Sequence, residues 1–289
     1  MRQEYIDLYD AYTHEHLDRR RFMRRLAELA GGTAAAAAIV SAIEANQAKA
    51  AMIAADDARL TADRVSFEGA GGPLQGYLAR PAGASGSAPG VMVIHENRGL
   101  NAHIEDVARR VALEGFTALA PDFLSPLGGT PADADMARDM IGKLDPAATV
   151  GNAAAAVAYL EGQPNGTGKV GAVGFCWGGG LTNQTAVNVP TLGAAVAYYG
   201  RQPTAEEAAK IKAPVMLHYA GLDERINAGI ADYEAALKAA GVEYTVHMYD
   251  GVNHAFNNDT SAERYDKAAA ELAWGRTIAF LKEKLAAAA

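Results

Sequence analysis

From about Ala55 onward the chain repeats one device, a short aliphatic or β-branched run followed by a stretch with helical spacing. That alternation is how parallel βαβ units are built. Six of the runs are apolar on both faces: "GVMVIH" ending at His95, "TALAP" at Pro121, "KVGAVGF" at Phe175, "LGAAVAYYG" at Gly200, "APVMLHYAG" at Gly221 and "EYTVHMYDG" at Gly251. A strand of this kind must be covered on both sides, which places it inside a parallel sheet between two helical layers. Ile104 to Glu114 carries its apolar residues on one helical face, and Asp145-Pro146 forms an N-cap and first helical position for a helix through Leu160. Ile230–Ala240 and Ser261–Leu285 complete the predicted helices. Arg64 to Glu68 and Leu74 to Leu78 instead alternate with period two around "GAGGP", the pattern of an antiparallel edge hairpin. "PAGASGSAPG", from Pro81 to Gly90, reads as a loop. The expected fold is a single α/β domain over residues 51–289, with a doubly wound, mainly parallel sheet. Its reactive groups should gather at the carboxyl ends of the strands.

Half of the residues are hydrophobic, enough for a sizeable core, and the net charge is −8. An acidic chain lacks the basic footprint that nucleic acid or an anionic membrane requires. No metal site is expected, because the seven histidines form no His-Glu-x-x-His helix and have only one cysteine to partner them. His14 and His16 alternate in a polar segment and read as solvated.

The first fifty residues differ in kind. Arg19-Arg20-Arg21-Phe22-Met23-Arg24 fits a twin-arginine pattern, Thr33 to Ile43 is uncharged and apolar, and Ala48-Lys49-Ala50 offers small residues for cleavage. Two readings follow: a periplasmic export signal, or a retained helical segment that packs on the main domain of a cytoplasmic protein. Glu28 and the acidic stretch from Glu4 to Asp18 speak for the second. The segment holds equal numbers of basic and acidic residues, so its removal leaves the net charge unchanged. Its apolar run is shorter than the roughly 20 residues a stable membrane span requires.

The chain's single cysteine lies in "GAVGFCWGGG", where a strand ends and a helix begins. Gly174-Phe175-Cys176-Trp177-Gly178 has the form G-x-C-x-G, a nucleophile elbow with cysteine in the usual place of serine. The sharp turn excludes bulky neighbours and projects the thiol beside the first turn of a helix, whose dipole favours a thiolate. A phosphate-binding turn would need a G-x-G-x-x-G or G-K-[ST] pattern, absent here. In such folds the chain order is nucleophile, acid, histidine, and Asp223 in "GLDERI" and His254 in "GVNHAF" follow the last two strands. His218 and His247 lie within strand patterns, and Asp250 comes too late in the order.

These residues, from about Asp63 onward, resemble the dienelactone hydrolase family of α/β-hydrolases, whose mark is Cys-Asp-His with a G-x-C-x-G elbow. "HENRGLNAHIEDVARRVALEGFTALAPDFL" is similar to the family's segment after the third strand. The resemblance implies that Glu96 holds the resting thiol and accepts its proton, and that the backbone N–H groups of Asn97 and Trp177 form an oxyanion hole. It also marks a departure: the namesake enzyme has an arginine shortly after the histidine, where "HAFNND" offers Asn257 and Asn258. Dienelactone itself is therefore a doubtful substrate. Arg98, Arg201 and Arg225, at other strand ends, are candidates to hold a substrate carboxylate, and the aromatic residues Tyr199 and Phe256 are candidates to wall the pocket.

The expected reaction is cleavage of a small lactone or carboxylic ester through an acyl-enzyme on Cys176, with no metal or organic cofactor. Two enzymatic alternatives are a general carboxylesterase and a thioesterase with the same triad. Outside enzymes, the alternatives are a non-catalytic ligand carrier on this fold and a redox sensor built on Cys176, which would need an outside thiol to resolve it.

Overall fold

The computed structural model describes residues 1–15, 17–44, 52–83 and 86–286. Two early strands, β1 (Leu60–Gly69) and β2 (Gly72–Pro81), pair antiparallel as the edge hairpin. Six more follow: β3 (Ala88–Ile94), β4 (Thr117–Asp122), β5 (Gly166–Phe175), β6 (Ala194–Tyr198), β7 (Val215–Ala220) and β8 (Tyr244–Tyr249). They form one sheet in the order β1-β2-β4-β3-β5-β6-β7-β8, parallel from β4 to β8. The strand order reverses around β3, and at such a switch point the loops diverge and leave a crevice.

Both faces of the central strands are covered, whereas β8, at the sheet edge, is half-exposed and is not the doubly covered strand its sequence suggests. Val91, Val93 and Val196 pack with Ile104, Val107 and Val111 of a helix over Ala102–Leu113 on one side. Met92, Ile94 and Leu217 pack with Ala153, Val157 and Leu160 of a helix over Pro146–Glu161 on the other. Asp145 caps the latter helix, accepting from the Ala148 N–H at 2.7 Å. The last helix runs over Lys267–Lys284 and so begins six residues after the predicted Ser261. Asp266 is its N-cap, and Ser261 spends its hydroxyl elsewhere, donating to the Ile43 carbonyl at 2.8 Å.

Ahead of the sheet stand three helices, α1 (Gln3–His14), α2 (Arg19–Ala30) and α3 (Thr33–Ile43). Asp18 caps α2 by accepting from the Arg21 N–H at 2.9 Å, and Gly31 ends it at φ 82°, a left-handed conformation that glycine adopts freely. Phe22 of the arginine motif is buried, stacked on Tyr12 with ring centroids 4.4 Å apart, in a small core with Ile6, Leu26, Val40 and Ile43. No single helix among the described residues is long and apolar enough to cross a membrane; α2 and α3 together have the length, but bend by 109° between them. Ala48-Lys49-Ala50 and His16 lie outside the described residues.

Candidate active site

The last residue of β5 is followed by Cys176 at φ 56°, ψ −116°, and then at once by α4 (Trp177–Asn188). Such a conformation costs a non-glycine residue on the order of 1–3 kcal/mol and persists only where the surroundings over-determine it. Here they do: the Cys176 N–H donates to the Tyr198 carbonyl at 3.0 Å, and the Gly180 N–H donates to the Cys176 carbonyl at 3.1 Å. The motif glycines have a steric reason. A Cβ on Gly174 would stand 2.1 Å from the Gly178 carbonyl oxygen, and one on Gly178 would stand 2.4 Å from that of His95.

Asp223 and His254 arrive from the loops after β7 and β8. The His254 Nδ1–H donates to Asp223 Oδ2 at 2.5 Å, and both residues are buried. Asp223 also accepts from the Ile226 N–H at 3.3 Å. Burial alone would raise the Asp223 carboxyl, but the His254 charge outweighs it and holds the group below its ordinary range. Burial likewise pushes His254 down; when Cys176 is a thiolate, its negative charge and that of Asp223 overcome burial and raise the imidazole to about 10.

Asn97 lies in the loop that follows β3, and Trp177 is the first residue of α4. Neither backbone N–H has a hydrogen-bond partner among the described residues, as the first turn of a helix leaves its donors free. Both residues line cavities that also touch Cys176.

Other expectations need correction. His14 is not solvated. Its Nε2 lies 3.1 Å from Cys176 Sγ, while His254 Nε2, in the same cluster of atoms within 4.8 Å of one another, has no partner. Glu96 is buried beside them, yet it does not hold the thiol: its Oε2 accepts from Asn258 Nδ2 at 2.6 Å and its Oε1 is unpartnered. Phe256 is not a pocket wall but part of the core, packed between Tyr199 and Tyr249 at 5.6 and 4.9 Å. Tyr199 is placed beside the site, its ring 4.8 Å from that of His254.

Of the arginines, Arg98 is committed to Asp135 at 2.9 Å and to the Tyr9 hydroxyl at 3.3 Å. Arg201 and Arg225 are exposed, and Arg225 stands 3.8 Å from Asp223. Sequence reasoning missed Arg264, which is buried over the Tyr9 ring and paired with Asp10 at 3.4 Å. Two imidazoles and a thiol make a donor set of the kind that suits a borderline-soft ion, and of these atoms His14 Nε2 and Cys176 Sγ lie within hydrogen-bond distance of one another.

Three cavities meet at Cys176. One, of about 290 Å³, is polar and is lined by Tyr9, Thr13 and His14 together with Glu96, Asn258 and Arg264. A second, of about 560 Å³, is largely apolar, with Ile141, Leu144, Val150, Trp177 and Leu181 along it. A third, of about 620 Å³, is lined by His14, Tyr199, Arg201, Arg225 and His254.

The sheet, the elbow and the acid–histidine pair after the last two strands define an α/β-hydrolase. Residues 74–285 match the model of the dienelactone hydrolase family. The chain is 37% identical over 234 residues to "Protein usf" of Aquifex pyrophilus, covering 76% of this chain and 98% of that one. It is 31% identical over 243 residues to the "Putative carboxymethylenebutenolidase" of Escherichia coli O157:H7, covering 79% and 89% respectively. Among solved structures it resembles a dienelactone hydrolase-like promiscuous phosphotriesterase from metagenomic libraries, at 28% identity and a TM-score of 0.71, covering 78% of this chain and 99% of that one. The chain belongs to the dienelactone hydrolase family. Helices α1 to α3 lie outside the span that the family model matches.

Proposed function

We propose that this protein hydrolyses small lactones or carboxylic esters through a cysteine acyl-enzyme. One observation carries the reading: the chain's only cysteine sits on a strained strand-to-helix elbow, facing a histidine that a buried carboxylate orients. No bland role for a buried thiol requires that backbone. The name of the Escherichia coli relative, a putative carboxymethylenebutenolidase, points the same way.

In the proposed cycle the Cys176 thiolate attacks the substrate carbonyl carbon, and the displaced π electrons move to its oxygen. The Asn97 and Trp177 N–H groups stabilise that oxyanion. Collapse expels an alkoxide, which takes the proton from His254; in a lactone this alkoxide stays attached to the acyl group. Neutral His254 then takes a proton from water, the hydroxide attacks the thioester, and collapse of the second intermediate returns the acid, the thiolate and the imidazolium. Asp223 keeps the proton on Nδ1 throughout. The apolar cavity along Trp177 and Leu181 would take the hydrocarbon part of the substrate, leaving charged groups for the Arg264 side.

The test is hydrolysis of a short p-nitrophenyl ester and of a small lactone by the wild type and by Cys176→Ala. The mutant is expected to lose at least about 10³-fold in kcat, as nucleophile deletions do. Equal rates would overturn the reading and favour a ligand carrier.

A further inference from the structure

The group touching the nucleophile comes from outside the hydrolase fold. His14, the last residue of α1, reaches Cys176 Sγ at 3.1 Å, and its ring stands 4.5 Å from that of His254. Which proton lies between sulfur and nitrogen follows from the other side of the ring. His14 Nδ1 faces the Asp10 carbonyl at 3.0 Å, which can only accept, and the Thr13 hydroxyl at 2.9 Å, which spends its own hydrogen on the Tyr9 carbonyl at 3.0 Å. Nδ1 therefore carries the hydrogen, Nε2 of the neutral ring presents a lone pair, and the partner it can hold is a protonated thiol. Burial keeps the ring neutral, reinforced by the positive charges of Arg225 and Arg264.

The remainder of the segment keeps α1 in place through side chains that also line the site. Asn97 Nδ2 donates to the Thr13 carbonyl at 2.9 Å, Arg98 donates to the Tyr9 hydroxyl, and Arg264 pairs with Asp10. Asn97 and Arg98 are the two residues that follow Glu96, so the segment is docked on the oxyanion loop itself.

We propose that residues 1–44 are a built-in cover of the active site, in which His14 holds Cys176 as the neutral thiol at rest and walls the polar cavity. Activation then means that the thiol turns from His14 Nε2 to the unpartnered Nε2 of His254, gives up its proton there, and becomes the thiolate of the cycle above. The proton is conserved: it leaves sulfur and forms the imidazolium that later protonates the leaving alkoxide. His14 thus takes the place at the resting thiol that the family resemblance gave to Glu96.

The proposal deepens the hydrolase reading, but its test does not depend on turnover. Iodoacetamide alkylates one site only, because the chain has one cysteine. Its rate is to be followed against pH in the full-length wild type, His14→Ala and His14→Leu, with cooperative thermal unfolding as the check on folding. The titratable and charged groups facing the thiol are His14 and Asp10 from α1, and Glu96, Asp223, Arg225, His254, Tyr199 and Arg264 from the domain. Both variants lack the acceptor for the thiol proton, so on the acid limb of the profile each is expected to react about two- to tenfold faster than the wild type, the range for one hydrogen bond. Unchanged or slower alkylation in folded variants would overturn the proposal. Acceleration in the alanine variant alone would overturn the hydrogen bond, since leucine retains the bulk and the effect would then be mere uncovering. Should either variant fail to fold, Phe22→Ala, which loosens the segment's own core away from the site, must also accelerate alkylation; an unchanged rate there would reject the cover. A hydrolysis failure with accelerated alkylation would count against the reaction and leave the cover intact.

Discussion

The hydrolase domain and the N-terminal helices are held together by different physics. The domain buries aliphatic side chains on both faces of a sheet, Met92, Ile94 and Leu217 among them at essentially zero exposure. The helices have a small core of their own around Phe22 and Leu26 and meet the domain mostly through polar and cation–aromatic contacts: Asn97 with Thr13, Arg264 with Asp10 and Tyr9, and Arg138 over Tyr12 at 4.4 Å. Contacts of the first kind specify a fold. Contacts of the second kind resemble those between domains that move relative to one another. Cys176 lies where the two meet, its Sγ 3.1 Å from His14 of α1.

The strongest way to sharpen this contrast is at the site, within the domain. Asp223→Asn leaves the helices untouched and removes the acceptor that holds His254 in its working tautomer; kcat for ester hydrolysis is expected to fall by about 10³- to 10⁴-fold, with little change in alkylation of the covered thiol. Next is Gly174→Ala, whose Cβ would meet the Gly178 carbonyl. Its expected cost is about 4 kcal/mol of global stability, read from urea unfolding followed by tryptophan fluorescence. Phe22→Ala should cost about 3 kcal/mol, but in the segment alone. Hydrogen exchange should rise across residues 3–43 and stay unchanged in β3, β5 and β6. Spread of that exchange into the sheet would break the contrast, because the two regions would then unfold as one unit.

The smallest effect concerns pH. His14 is only partly buried as a residue, but its ring is sunk into the site and its pKa lies well below 6.5 when docked. The free segment therefore binds a proton that the docked one does not. Its contribution to docking is present above about pH 6.5 and is lost as pH falls toward the docked value, at a slope of at most about 1.4 kcal/mol per pH unit. Asp10, raised by burial against the pull of Arg264, works in the opposite sense from 3.8 upward, so the clean window lies just below pH 6.5. Protease susceptibility of the segment is expected to increase between pH 7 and 5.5 in the wild type and to lose that dependence in His14→Leu.

The arginine motif bears on both regions. If residues 1–50 are removed on export, His14 leaves with them and the thiol is uncovered. A chain starting at Met52 would then show the faster alkylation expected of the His14 variants.

All eight strands were legible because each is a short local pattern, and the elbow because steric crowding around Cys176 demands glycine at fixed neighbours. The order Cys176, Asp223, His254 was legible because the topology places each at the carboxyl end of a strand. The start of the last helix was misplaced since Ser261 looks like a helix start until Ile43 claims its hydroxyl. Phe256 was misplaced because nothing local distinguishes an aromatic ring that turns inward from one that walls a cavity.

By itself, then, the sequence determined the sheet, the elbow and the acid–histidine pair, all of which rest on residue size, periodicity and short spacing. Only the tertiary structure decided which group holds the thiol. His14 is 162 positions from Cys176 in a polar segment, and Glu96 is drawn away by Asn258; both outcomes depend on side chains brought together by folding, and a pairing across that distance leaves no periodic trace in the chain.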